Sequence, residues 1–173
     1  IVGHLLKTRA SHLYVNDCAG YSETLNKCFL ANPNKDFIKN VEKYIIQANE
    51  LADKNILNKK DAWVSKHWSP NGEIKPEHRV YFTEQNGRRI DIIRNFIDTI
   101  PEKYKPFLLG PLLVEASIHN NTNGQFTAFY KDGDKGAFGG SKGNDLHRIT
   151  APIYLKSPIL LPNDSTIHID RDD

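Results

Sequence analysis

An α/β fold that passes through a helical middle and returns to β structure is what this sequence predicts, on three observations. A β-prone run, His12-Leu13-Tyr14-Val15-Asn16, ends on Asp17 and leads into a helical pattern. From Asn34 to Ala116, apolar residues recur mostly at three- and four-residue intervals. After Gly124 the character changes to short β-prone pieces punctuated by Pro152, Pro158 and Pro162.

Each element follows in order. Val2 to Thr8 reads as the last turns of a helix, and Tyr21, Leu25, Cys28 and Phe29 share one face of the helix after Asp17. Strand, acidic residue and helix make an α/β unit. Asn34 is placed to cap a long amphipathic helix carrying Phe37, Ile38, Val41, Tyr44, Ile45, Ala48 and Leu51. The stretch Lys59 to Gly72 holds both tryptophans, Trp63 and Trp68, and ends on the turn signal Pro70-Asn71-Gly72. Thr83 or Asn86 caps the next helix, and Pro101 opens another, because its missing N–H costs nothing at a helix start. Short strands are expected at Phe126 to Tyr130, Ile153 to Leu155, Ile159 to Leu161 and Thr166 to Ile169.

The chain has 173 residues, enough for a sizeable core, and its 39% hydrophobic and 25% charged residues are ordinary for a globular protein. A formal net charge of +2 points to no partner by itself. No apolar run is long enough to span a bilayer, so no membrane role is expected. Cys18 and Cys28 match neither a disulfide framework nor a zinc spacing, and read as reduced thiols of a cytoplasmic protein. The seven histidines form no metal-ligand pair, and no serine sits in a nucleophile elbow.

The stretch from Phe107 to Lys142 carries the functional signal. An apolar helix runs into Asn120-Asn121-Thr122-Asn123-Gly124-Gln125, then into a glycine-broken segment bearing Lys131, Lys135 and Lys142. Amides pair with nucleobase edges, lysines with phosphates and aromatic rings with base faces, so this stretch leads to a nucleic-acid hypothesis. Asn123, Gly124, Gln125, Lys131, Lys135 and Lys142 are the candidate contacts. Glu115 reads as a buried structural carboxylate or as a residue that orients the turn. Arg88, Arg89 and Arg94 read as a solvated helix face or as phosphate contacts. Trp63 and Trp68 read as core residues or as base-stacking ones. Asp17, at the carboxyl end of its strand, is placed to accept hydrogen bonds from a ribose, or else is a helix N-cap or loop aspartate.

Three stretches together resemble a known family. They are Asn16-Asp17-x-x-x-Tyr21-Ser22, then Val80-Tyr81-Phe82-Thr83-x-x-Asn86-Gly87-x-x-Ile90-Asp91-x-Ile93-Arg94, then the helix leading to Asn121-Thr122-Asn123-Gly124 and Ala128-Phe129-Tyr130-Lys131. Their order resembles bacterial and phage DNA adenine-N6 methyltransferases of the Dam-like class, restriction-associated modification methylases above all. The resemblance implies a partial Rossmann-like methyltransferase fold with a helical insertion and a DNA-facing β-hairpin. It implies S-adenosylmethionine as cofactor, duplex DNA as partner, and a cytoplasmic place in a bacterial or phage-infected cell. Asp17 matches the residue that holds the cofactor ribose, and Asp172 the one at the cofactor adenine. By this reading residues 1–33 begin the methyltransferase core, 34–122 are helical, 123–150 face DNA, and 151–173 return to the core.

Two of the family's loops, Phe-x-Gly-x-Gly and Asp-Pro-Pro-Tyr, are absent from the sequence. The expectation is a central fragment, catalytically inactive alone, whose open sheet edges favour self-association or the remainder of the same enzyme. The alternative is a non-catalytic DNA-binding module of methyltransferase ancestry. Cytosine-N4 stays open as a target atom.

Overall fold

The structure, a computed structural model, describes residues 2–140, 142–162 and 164–172. Ile1, Ser141, Asn163 and Asp173 lie outside the described residues. The chain packs as two compact units: Ile1–Ile46 with Ile100–Leu113 and Lys156–Asp173, and Gln47–Thr99 with Val114–Leu155.

The first unit is built on a parallel strand pair. Strand β1 (His12–Asn16) pairs with β4 (Thr166–Asp170), in a register from His12↔Thr166 to Asn16↔Asp170. Side chains alternate across a strand, so Leu13 is buried while Tyr14 stays exposed and stacks on its cross-strand partner His168, ring centroids 4.5 Å apart. Helix α1 (Val2–Leu6) precedes β1, and α2 (Gly20–Phe29) follows it. Lys7, buried just after α1, donates from Nζ to the carbonyls of Phe29 (3.3 Å) and Ala31 (3.1 Å). Carbonyls at a helix C-terminus lack intrahelical donors, and this lysine supplies them.

Helix α3 (Lys35–Lys54) is capped by Asn34, whose Oδ1 accepts from the Phe37 N–H at 2.8 Å, as the sequence predicts. Phe37 packs against Tyr104 and Phe107 at 4.6 and 4.9 Å. Pro101 leads into a short 3₁₀ turn, Glu102–Tyr104, before α6 (Lys105–Ile118). A Cβ on Gly110 of α6 would lie 2.9 Å from both Cβ and Sγ of Cys28, so only glycine lets α2 approach this closely.

The second unit is mainly helical. Its centre is α5 (Glu84–Thr99), capped by Thr83 through Oγ1 to the Asn86 N–H at 3.1 Å. Helix α4 (Val64–His67) is held by Asp91 of α5, whose carboxylate accepts from the N–H groups of Val64 and Ser65, both at 2.8 Å, and from the Ser65 hydroxyl at 2.6 Å. Strands β2 (Lys131–Asp132) and β3 (Lys135–Gly136) form a two-residue hairpin around Gly133-Asp134. Gly133 has φ +62 and Asp134 has no positive φ, the pattern of a type II′ turn, which calls for glycine first. Helix α7 (Leu146–Thr150) follows.

Three expected strands are absent. Phe126 to Tyr130, Ile153 to Leu155 and Ile159 to Leu161 pair with no strand. For Ile153 to Leu155 the reason is that helix side chains replace the ladder. Asn86 donates from Nδ2 to the carbonyls of Ile149 (3.2 Å) and Ala151 (3.0 Å) and accepts from the Ile153 N–H at 3.0 Å. Asn49 pairs with the Leu155 N–H and C=O at 2.8 and 3.0 Å. A backbone satisfied in this way needs no neighbouring strand.

Candidate functional site

In the first unit, the carboxyl end of β1 carries Asp17. Its Oδ1 accepts from the Ala19 N–H at 2.9 Å. That bond, followed by one from the Ser22 side chain, holds the carboxyl below the usual aspartate range, so it is an anion at neutral pH. Only part of its acceptor capacity is used, and the side chain is half-buried. Asp17 is a loop aspartate rather than the cap of α2, whose N-cap is Ala19 with no side-chain cap bond; it orders the turn into that helix. Asp172 is exposed, and its backbone is fixed to the same strand end. Asn16 accepts from the Asp172 N–H at 3.0 Å and donates to the Asp172 carbonyl at 3.3 Å. One asparagine side chain therefore holds the backbone of Asp172 beside the residue preceding Asp17. Arg171 lies here too, with its guanidinium 3.7 Å from Glu23 and bonded to the Cys18 carbonyl at 3.3 Å.

In the second unit, the amide-rich turn divides into a buried half and an exposed half. Asn120, Asn121 and Thr122 are buried. Asn121 makes bonds with every polar group it has. Its Nδ2 donates to the carbonyls of Val80 (2.8 Å) and Ala137 (3.1 Å), and its Oδ1 accepts from the Gly139 N–H at 3.0 Å. Its own N–H donates to the Tyr81 carbonyl at 2.7 Å, and its carbonyl accepts from the Tyr130 N–H at 3.0 Å. This one residue joins the segment before α5, the end of α6 and both sides of the hairpin. Asn120 Oδ1 accepts from the Thr122 hydroxyl at 2.6 Å, and the Thr122 oxygen accepts from the Gly124 N–H at 3.2 Å. Gly124 has φ +101, a conformation open to glycine and strained for side chains.

Beyond that hub the chain is exposed. Asn123, Gly124, Gln125, Lys131, Lys135 and Lys142 all face solvent. Lys131 lies opposite Gly136 and Lys135 opposite Asp132, and with Asp134 at the turn the hairpin tip itself is formally neutral. Its lysines are separate exposed charges rather than a broad positive field.

Arg148 of α7 was not singled out from the sequence. It donates to the carbonyls of Asn120 (2.8 Å) and Thr122 (3.1 Å) and also to that of Ile118. It thereby caps the C-terminus of α6 and fixes the turn. Asp145 lies 3.4 Å from it and accepts from the Tyr130 hydroxyl at 2.8 Å. A cavity of about 420 Å³ opens here, lined in part by Asn123, Gly124, Tyr130, Asp145 and Arg148. The only sequence signal for Arg148 is a basic residue on a short helix, which is too common to single out.

The arginines of α5 separate. Arg89 is buried, neither solvated nor open to phosphate, because it donates to the Ile153 carbonyl (2.6 Å), pairs with Asp53 (2.7 Å) and lies 4.1 Å over the Tyr154 ring. Arg88 bonds Asn55, and Arg94 pairs with Asp98 one turn on. Glu115 is buried, 3.2 Å from His119 Nε2, in keeping with a structural role. Among the described residues, no group of three or more metal-ligating side chains comes together, and no helix is long and apolar enough to cross a membrane.

The strand that ends on an ionised aspartate and the buried asparagine that holds the exposed turn both lie within the stretch matched by one family of enzymes. The chain belongs to the D12 class N6 adenine-specific DNA methyltransferases, which match residues 1–137. It is 29% identical to the Type II methyltransferase M.NlaIII of Neisseria lactamica, an alignment covering 91% of this chain and 49% of that protein. It is 30% identical to the Type II methyltransferase M.CviAII of Paramecium bursaria Chlorella virus 1, over 82% of this chain and 39% of that protein. The chain thus spans about half or less of the length of these relatives. No solved structure matches it.

Proposed function

We propose that this chain is the cofactor- and DNA-engaging part of a site-specific DNA adenine-N6 methyltransferase of a Type II restriction-modification system. The observation that carries the reading is the family match over residues 1–137. S-adenosylmethionine, when bound, supplies the electrophilic methyl group. In this proposal β1 and β4 belong to a Rossmann-like methyltransferase sheet, whose ligands bind at the carboxyl ends of its strands. The residues at that end fit such a cofactor. Asp17 is an anion with acceptor capacity left for the two hydroxyls of a ribose, and Asp172 is held nearby for the adenine side. Asn123, Gly124 and Gln125 face DNA from a turn that Asn121 and Arg148 hold rigid, while Lys131, Lys135 and Lys142 meet phosphates.

Methyl transfer to an exocyclic amine needs the target base flipped out of the duplex and an acceptor for the amine's hydrogens. No Asp-Pro-Pro-Tyr run is present to serve as that acceptor, so the 173-residue chain alone is expected to bind DNA without methylating it. The test is calorimetric titration of S-adenosylmethionine into this chain, into a longer chain carrying both family loops, and into Asp17→Ala of each. Binding by the longer chain that Asp17→Ala weakens at least 10-fold supports the reading. Methylation by the 173-residue chain would sink the inactivity. DNA binding with no cofactor binding in either form would leave a non-catalytic DNA-binding module instead.

A further inference from the structure

A strip of aromatic rings runs across the second unit and ends in two exposed side chains. Trp63, at the start of α4, is 60% exposed, and Phe126, after the amide turn, is 44% exposed. Between them the rings form a chain. Trp63 lies 6.0 Å from Trp68, Trp68 lies 4.7 Å from Tyr81, and Tyr81 lies 6.3 Å from Phe126, with the last two planes 23° apart. Phe129 meets Tyr81 edge-on at 5.1 Å, and Lys131 Nζ sits 5.4 Å from the Phe129 ring centroid.

The backbone under this strip is pinned. The Trp68 carbonyl accepts from the N–H groups of Tyr81 (3.0 Å) and Phe82 (3.1 Å), and the Tyr81 carbonyl accepts from Asn121. The buried Asp91 carboxylate binds the two residues that follow Trp63. Leaving a tryptophan in water forgoes the burial free energy of a large apolar ring. Here the fold fixes its backbone and leaves the ring open, as a preformed contact surface requires.

We propose that Trp63 and Phe126 are the exposed ends of a stacking surface that takes the faces of nucleobases unpaired from the DNA duplex. This rests on the DNA-methyltransferase reading and adds to it where unpaired bases go. Base faces stack on aromatic side chains without regard to sequence, and the charge that accompanies them is negative. Lys66, exposed on α4 between the two tryptophans, and Lys131, against Phe129, supply the complementary charge. An apolar protein segment would gain nothing from these lysines, and so the charge favours a nucleic-acid strand.

The chain contains two tryptophans, so Trp68→Phe leaves Trp63 as the reporting fluorophore. The protein is titrated with a single-stranded oligonucleotide, with its fully paired duplex, and with that duplex carrying one mismatched pair. The proposal expects quenching of Trp63 by the single strand and the mismatched duplex. Read by the fluorescence anisotropy of a dye on the DNA, Trp63→Ala and Phe126→Ala each weaken those two about 10-fold, the size of one lost stacking contact, with the slope of log K against log salt unchanged. Trp63→Phe restores most of the affinity, and far-UV circular dichroism checks the fold of each variant. If both alanine variants bind all three DNAs like the parent while Lys131→Ala weakens binding, stacking is overturned and the DNA reading stands. An effect confined to the fully paired duplex also overturns it, in favour of groove packing. If no DNA binds even at low salt, both readings fall; self-association lost in Trp63→Ala would then assign the strip to protein contact.

Discussion

Removing the Asn121 side chain leaves the carbonyl of Val80 and the N–H of Gly139 without partners, and leaves the Ala137 carbonyl only the Gly140 N–H at 3.4 Å. Unsatisfied buried polar groups cost about 1–3 kcal/mol each, partly relieved where water enters. Asn121→Ala is therefore expected to lose about 3 kcal/mol in denaturant unfolding, and to free the hairpin for early proteolysis. A loss under about 1 kcal/mol would mean that the hub is redundant. Tyr130 and Asp145 give the same region a pH dependence. The Tyr130 hydroxyl bond, then the Arg148 charge, holds Asp145 below its ordinary value of 3.8. That bond, then burial, raises Tyr130 above 10.0. The depressed aspartate contributes stability above its unfolded value, lost as pH falls through the folded one. The raised tyrosine contributes below its unfolded value, lost as pH rises through its folded one. Amide exchange in the hairpin should thus quicken in acid below the ordinary carboxylate range and in alkali above the ordinary phenol range. Tyr130→Phe should remove the alkaline effect and reduce the acid one to the part that Arg148 supplies.

At the scale of elements, the packing of α2 on α6 depends on Gly110 and Cys28. Cys28 is fully buried, and burial pushes its thiol up to about 12, whereas Cys18 is exposed. The thiolate is the reactive form, so native protein should take up a single equivalent of alkylating reagent, at Cys18, and a second only on unfolding. Gly110→Leu should expose Cys28 to the reagent in the native state, because its side chain has no room beside that thiol. Peptide mapping by mass spectrometry reads both sites. The same element logic explains the missing strands. In the sequence Asn86 reads as a candidate helix cap and Asn49 as an ordinary helix asparagine, and only their bonds to Ile149 to Leu155 reveal that they serve as a ladder.

At the scale of the whole molecule, a formal charge of +2 spread over the chain leaves DNA affinity to a few local lysines. Replacing Lys131, Lys135 and Lys142 together by alanine is expected to lower the steepness of log K against log salt by roughly 2–3, since each phosphate contact contributes about 0.9 for duplex DNA. An unchanged slope would move the phosphate contacts elsewhere, with Lys66 and the rest of the second unit the next place to substitute.

The sequence by itself determined the local elements and the family. Strand β1, the Asn34 cap, the start at Pro101 and strand β4 all follow from short-range rules of capping, ring geometry and alternation, whereas the choice of Thr83 over Asn86 as a cap came from the structure. The order of the three stretches, with no neighbour in space to consult, was enough to point to adenine-N6 methyltransferases. Tertiary structure alone decided which polar residues are inside. Asn121 and Asn123 are two positions apart and chemically identical, yet one is the buried hub and the other faces water. Arg88 and Arg89 are adjacent, yet only Arg89 finds a carbonyl, a carboxylate and a ring together. Burying a polar group is favourable only where partners from distant segments converge on it, and that convergence has no local signature in the chain.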